Sequence, residues 1–204
     1  MNWNIPNILT LLRLLAAPSV AIMFLYFDRP WADWFALVLF ISAAVTDFVD
    51  GYLARAWKQE SKFGAMMDPI ADKAMVVIAL VVITGFSGMN PWILMPAVLI
   101  IFREVFVSGL REFLGETAGL LKVTPLAKWK TTMQMVAIAV LFAKGAFEHY
   151  LLDGPAADGF SFLALGANVS WATGIGFLWI AMILTVLSGA DYFRKALPYL
   201  RDPK

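Results

Sequence analysis

Cysteine is absent from the 204 residues, and histidine occurs once, at His149. The first absence excludes a disulfide framework, a thiolate metal site and a cysteine nucleophile. The second excludes a multi-histidine metal centre. A metal bound by this chain must be held by oxygen atoms, which points to Mg²⁺, Mn²⁺ or Ca²⁺. Charge is scarce as well: 16 Lys and Arg stand against 15 Asp and Glu, a formal net charge of +1, and only 15% of residues are charged. The basic residues are spread out and matched by acids, so nothing suggests a nucleic-acid partner. A basic leader is missing too. Arg13 interrupts the first apolar run, which therefore reads as a retained span rather than a cleaved signal.

What fills the chain is apolar. Hydrophobic residues make up 61% and the mean hydropathy is +0.75, far above a soluble domain. Crossing a bilayer takes about 20 apolar residues, and stretches of that kind recur near 6–27, 32–54, 65–86, 91–113, 126–147 and 169–191. The expected architecture is a single all-α transmembrane catalytic domain, 1–204, with six spans. Breakers separate them: Asp28-Arg29-Pro30, a polar link at 56–63, the run from Gly85 to Pro91, and a Gly- and Pro-containing stretch at 145–168. Of the basic residues only Arg29 and Lys144 fall at one side. The excess at the other side makes it cytoplasmic, with both termini. Tyr26, Phe27, Trp31, Trp34, Phe86, Trp92, Tyr150 and Trp171 gather at the outer ends as an interfacial belt. His149 falls there too, remote from the candidate chemistry.

That chemistry lies between residues 47 and 72. Asp47 and Asp50 are three apart and Asp68 and Asp72 four apart, so on helices each pair shares a face. Carboxylates at the edge of a membrane are costly, and four facing one another repel unless a cation shares the site. Asp47, Asp50 and Asp68 offer hard ligands for Mg²⁺. Two ions about 3.5–4 Å apart can clamp both sides of a phosphoryl displacement. Gly51, Ala54 and Gly64 have almost no side chain, so a flat ring and a diphosphate can approach the helix backbones. Arg55 suits a phosphate oxygen or a nucleobase edge. Asp72, one turn past Asp68, is placed to take a proton from an attacking hydroxyl.

Written as a pattern, the stretch is Asp47-x2-Asp50-Gly51-x2-Ala54-Arg55-x8-Gly64-x3-Asp68-x3-Asp72. At every defined position this resembles the signature of the CDP-alcohol phosphatidyltransferases, integral-membrane enzymes of phospholipid synthesis, and the six-span layout agrees along the whole chain. The resemblance implies that Asp47, Asp50, Asp68 and Asp72 bind metal, with two Mg²⁺ or Mn²⁺ ions, and that Asp72 is also the general base. It implies that Gly51, Ala54, Arg55 and Gly64 hold the CDP part of CDP-diacylglycerol, in a homodimer of the cytoplasmic membrane whose active site faces the cytoplasm.

The acceptor is read from the cations outside the signature. Arg103 and Arg111 are eight apart, about 80° around a helix and 12 Å along it, and Lys128 and Lys130 follow on the next span. An arginine as deep as Arg103 needs an anion: Glu104, an active-site aspartate or a bound phosphate. Fixed positive charge beside the aspartates points to a phosphorylated acceptor. The runs Asn4 to Arg13, Arg103-Glu104 with Ser108 to Glu112, and Lys128 to Met135 resemble the bacterial branch of the family that uses sn-glycerol 3-phosphate. Asn7 and Thr10 then become candidates for the nucleotide and Arg13 for the acceptor phosphate. Inositol phosphate, serine or phosphatidylglycerol as acceptor is the alternative within this chemistry. A prenyl transferase would lack the glycine, alanine and arginine positions, and a divalent-cation carrier would continue its polar path through the outer half of the spans. Asp191 reads as an ordinary ion pair with the Arg194-Lys195 stretch.

Overall fold

Capping side chains set where the helices around the site begin. Ser61 adopts extended backbone and its Oγ accepts from the Gly64 amide at 3.0 Å, which starts α3 (Lys62–Phe86). Asn90 does the same through the Trp92 amide at 2.9 Å, and Pro91 supplies the first residue of α4 (Pro91–Leu114). Between these helices the chain turns on Gly88 and Met89, both at positive φ. The computed structural model describes residues 5–56, 61–120, 126–153 and 160–200, and their side chains except at 6, 47–56, 62, 116, 118, 120, 126–128, 152–153 and 160–161. Before α3 come α1 (Ile5–Tyr26) and α2 (Trp31–Ala56). After α4 come α5 (Leu126–Asp153) and α6 (Phe160–Ala196), with short 3-10 turns at Gly115–Leu120 and Leu197–Tyr199. No strand occurs among the described residues.

Helices α1 to α4 match the expected spans to within a few residues. The C-terminal third does not: α5 runs on to Asp153 and α6 opens at Phe160, so the segment 145–168, read as a break, is helical except at 154–159, which lies outside the described residues. Its glycines misled the reading. Gly145 sits inside α5 because a Cβ there would lie 2.1 Å from Asp33 Oδ1, and Gly166 sits inside α6 with a Cβ position 3.3 Å from the Phe147 ring. Both mark close helix approach rather than chain breaks. At 37 residues α6 is about 55 Å long, well beyond a hydrocarbon core of about 30 Å, so it projects past the bilayer.

Among the described residues four helices, α1, α3, α4 and α6, are long and apolar enough to cross a membrane; α2 has a shorter apolar run, Trp31–Thr46, before its acidic end. Helix α5 carries Lys130, Lys144 and Glu148 near its two ends and is the least apolar of the six. The protein is a polytopic helical membrane protein. Its core is built from small and branched residues of all six helices, among them Ala17, Ala36, Leu80, Ala97, Ile138 and Ala181, each almost wholly buried. Alanines at these crossings let backbones approach closely, which is how helices associate where lipid removes the hydrophobic drive. Leu15, Leu25, Val38, Phe102, Val105 and Phe162 point outward as an apolar surface suited to acyl chains.

The far end of the bundle is closed by ion pairs. Arg29 Nε and Nη2 donate to the two oxygens of Asp33, each at 2.7 Å, and the guanidinium lies 5.9 Å from the rings of both Phe24 and Phe86. The hydrogen bonds to Asp33 hold Arg29 protonated even more firmly than usual. Lys144 bonds Glu148 at 2.5 Å, so the two basic residues expected on this side are both matched by acids. A Cβ at Gly145 would collide with Asp33 Oδ1 and lie 2.4 Å from Arg29 Nη2, and the short, doubly bonded Asp33 side chain cannot swing aside. Breaking a buried ion pair costs about 3–5 kcal/mol. The Arg29 side chain keeps 30% of its exposure, which places Gly145→Ala near the lower figure. Thermal unfolding in detergent should show a midpoint several degrees below the parent, and an unchanged midpoint would remove the clamp.

Candidate active site

One face of α1 is laced to the start of α3. Asn7, Thr10 and Arg13 follow at intervals of three, so they form one polar edge in an otherwise apolar helix. Ser61 Oγ donates to Asn7 Oδ1 at 2.7 Å, Thr10 Oγ1 donates to Asp68 Oδ1 at 2.7 Å, and Arg13 Nη1 meets Asp72 Oδ1 at 2.8 Å. The backbones can come this near because residue 64 is glycine: a Cβ there would lie 2.8 Å from Asn7 Oδ1. The Arg13 side chain is 2% exposed and that of Asp72 38%. So deep a guanidinium requires an anion, and the structure supplies Asp72. Arg13, expected at the acceptor phosphate, is bonded to the candidate base and lies outside the lining of the cavity described next.

Beyond Asp72 a cavity of about 240 Å³ opens between α3, α4, α5 and α6. Arg103, Arg111 and Lys130 line it together with Lys73. Arg103 Nη1 donates to Glu104 Oε1 at 3.0 Å and Nη2 to Ser188 Oγ at 3.2 Å. Lys130 Nζ bonds the same Glu104 oxygen. Lys73 donates to Ser108, whose hydroxyl donates in turn to the Glu104 carbonyl at 2.6 Å. Helix α6 aims Arg103: a Cβ at Gly189 would lie 2.9 Å from Arg103 Cγ, and Ser188 is held by its own bond to the Thr185 carbonyl at 3.0 Å. Gln134 Nε2 donates to Thr185 Oγ1 at 3.1 Å across the same seam. Arg111 lies 5.2 Å over the Tyr192 ring.

The structure therefore brings Asp68, Asp72, Gly64, Asn7, Thr10 and Arg13 together at the α1–α3 seam, with Arg103, Arg111 and Lys130 in the adjoining cavity. Asp47, Asp50, Gly51, Ala54 and Arg55 lie on α2, and Lys128 on α5, but their side chains fall outside the described residues. Among the described residues no group of three potential metal ligands forms; Asp68 and Asp72 are the described pair. Asp191 pairs with Lys195 at 2.7 Å, as expected, yet also lines the cavity. Sequence reasoning passed over Lys73, Ser108, Gln134, Ser188 and Tyr192. Their signal was present in the spacing: Gln134 stands one turn past Lys130, and Thr185, Ser188 and Tyr192 step along one face of an apolar helix.

Comparison with known proteins places the chain in a family. The family model described as CDP-alcohol phosphatidyltransferase matches residues 3–187. Along their entire lengths, the chain and the CDP-diacylglycerol–glycerol-3-phosphate 3-phosphatidyltransferase of Cereibacter sphaeroides are 66% identical. The proteins of that name from Pectobacterium atrosepticum, at 36% over all of both chains, and Rickettsia bellii, at 35% over 98% of each, are similar too. With the signature running through α2 and α3 and the match covering nearly the whole chain, the protein belongs to the CDP-alcohol phosphatidyltransferase family.

Proposed function

We propose that the protein transfers the phosphatidyl group of CDP-diacylglycerol to sn-glycerol 3-phosphate, giving phosphatidylglycerophosphate and CMP. The observation that carries this is the cavity beside Asp72, where four cationic side chains from three helices converge on a space the size of a small phosphorylated polyol. Serine, a zwitterion with one carboxylate and no net charge, leaves most of that positive charge unmatched. The names of the similar proteins support the same acceptor.

In this reading a hydroxyl oxygen of the acceptor bonds to the phosphorus carrying diacylglycerol, and the bond from that phosphorus to the oxygen of CMP breaks. Asp72 accepts the hydroxyl proton. Arg13 orients Asp72, so the base is in place before the acceptor arrives. Arg103, Arg111 and Lys130 hold the acceptor phosphate, with Lys128 of α5 as a further candidate, and Gly51, Ala54, Arg55, Gly64, Asn7 and Thr10 hold the CDP group. Enzymes of this family depend on a divalent cation. The donor set fits one: among the described residues Asp68 is bonded through Oδ1, by Thr10, and every candidate ligand is a carboxylate. Asp47, Asp50, Asp68 and Asp72 would hold two Mg²⁺ or Mn²⁺ ions, which when bound neutralise the diphosphate and the departing CMP. A homodimer belongs to the same reading, supported by the family resemblance. So does an inner-membrane location with the active site and both termini cytoplasmic, supported by Arg29 and Lys144 being the basic residues of the opposite end.

The test is an acceptor panel. Purified enzyme given CDP-diacylglycerol with glycerol 3-phosphate, inositol phosphate, serine or phosphatidylglycerol should release CMP chiefly with the first. Greater release with any other replaces the acceptor, and divalent-ion uptake by vesicles without CMP release replaces the reaction class.

A further inference from the structure

Three carboxylates, Asp72, Glu104 and Asp191, line the cavity along with its four cations. Asp72 is bonded to Arg13 and Asp191 to Lys195, both partners lying outside the lining. Glu104 directs its ion pairs at two cavity cations, Arg103 from α4 and Lys130 from α5, through a single oxygen, Oε1. Its side chain is only 11% exposed. Adjacent residues on a helix do not face each other, so the Arg103–Glu104 contact depends on the neighbours that bend Arg103 back: Ser188 on one nitrogen and Gly189 beneath its stem. The backbone of Glu104 is tied as well, through Ser108, to Lys73 on α3. One residue thus links cations from three helices, two through its carboxylate and the third through its backbone carbonyl and Ser108.

We propose that Glu104 is a positioning residue for the acceptor phosphate. It sets the separation of Arg103 and Lys130 before the acceptor arrives, and its charge between them moderates their pull on the phosphate. The proposal rests on the reading that the acceptor is phosphorylated. Two physical needs converge on it. Long cationic side chains lose rotamer freedom when they grip a ligand, and a fixed carboxylate makes that ordering part of folding rather than of binding. The product retains the same phosphate, so a cavity that bound it with uncompensated charge would hold substrate and product equally tightly, with no gain in turnover. A phosphate dianion beside Glu104 leaves the four cations nearly balanced.

The experiment is CMP release by the full-length enzyme in detergent micelles containing CDP-diacylglycerol, with glycerol 3-phosphate varied and inorganic phosphate as competitor. Glu104→Gln keeps the shape and removes the charge. Turnover should fall about tenfold while inorganic phosphate inhibits about threefold more tightly, an opposition that general loss of structure does not produce. Glu104→Asp keeps the charge and withdraws it by one methylene, so turnover should fall with inhibition by phosphate unchanged; this variant also decides the matter if the glutamine form does not fold. Parental turnover in either variant, or phosphate inhibition weakening in step with turnover, overturns the proposal. A parent enzyme that uses an unphosphorylated acceptor in preference to glycerol 3-phosphate, and ignores inorganic phosphate, overturns the functional reading beneath it instead.

Discussion

Replacing Asp72 by Asn should reduce CMP release by about 10²–10⁴-fold, the usual contribution of a positioned base. The amide has the volume of the carboxylate and still accepts a bond from Arg13, but it cannot take a proton and is a poor ligand for a hard cation. Asp72 is singled out over Asp68 by its surroundings. Asp68 is capped by the Thr10 hydroxyl, whereas Asp72 borders the cavity that would hold the acceptor. The substitution also leaves the buried Arg13 guanidinium facing a neutral group, so a lower thermal midpoint should accompany the lost activity. Activity within tenfold of the parent would move the base elsewhere. Loss of folding without residual turnover in the folded fraction is separated from this by normalising to monodisperse protein.

The second large effect is expected at Arg103. Truncating one partner of a buried, hydrogen-bonded charge contact costs about 2–5 kcal/mol, so Arg103→Ala should raise the KM for glycerol 3-phosphate about 10²-fold or more. The KM for CDP-diacylglycerol should change little, because Arg103 stands on α4, apart from the α2–α3 signature that would hold the nucleotide. Lys in its place should recover little. Lysine lacks the fork that reaches Glu104 and Ser188 at once, in the bent pose allowed by Gly189. A variant whose two KM values rise together would mark Arg103 as a structural ion pair only.

Much of this was legible beforehand because membranes impose few choices. An apolar run of about 20 residues must be helical to satisfy its own backbone, so helices α1 to α4 could be placed from composition and breakers. The reading faltered where glycine has two meanings. Gly145 and Gly166 look like loop residues in a string of letters, and become contact points once Asp33 and Phe147 are seen against them. The destination of Arg13 was hidden for a related reason. Its burial demands an anion, but several were available in the sequence, and only the packing of α1 on α3 selects Asp72.

The order of residues by itself determined the family: the aspartate, glycine, alanine and arginine positions between Asp47 and Asp72 carry its signature, and the family model matches residues 3–187. It also determined the helical membrane architecture, because hydrocarbon tolerates little else. What tertiary structure alone decided is the company each charge keeps. Arg103, Lys130, Lys73 and Tyr192 come from four different helices, and their meeting around Glu104 depends on crossing geometry that no local pattern encodes. Spacing along a helix reports which side chains share a face; only the packing of helices reports which faces share a cavity.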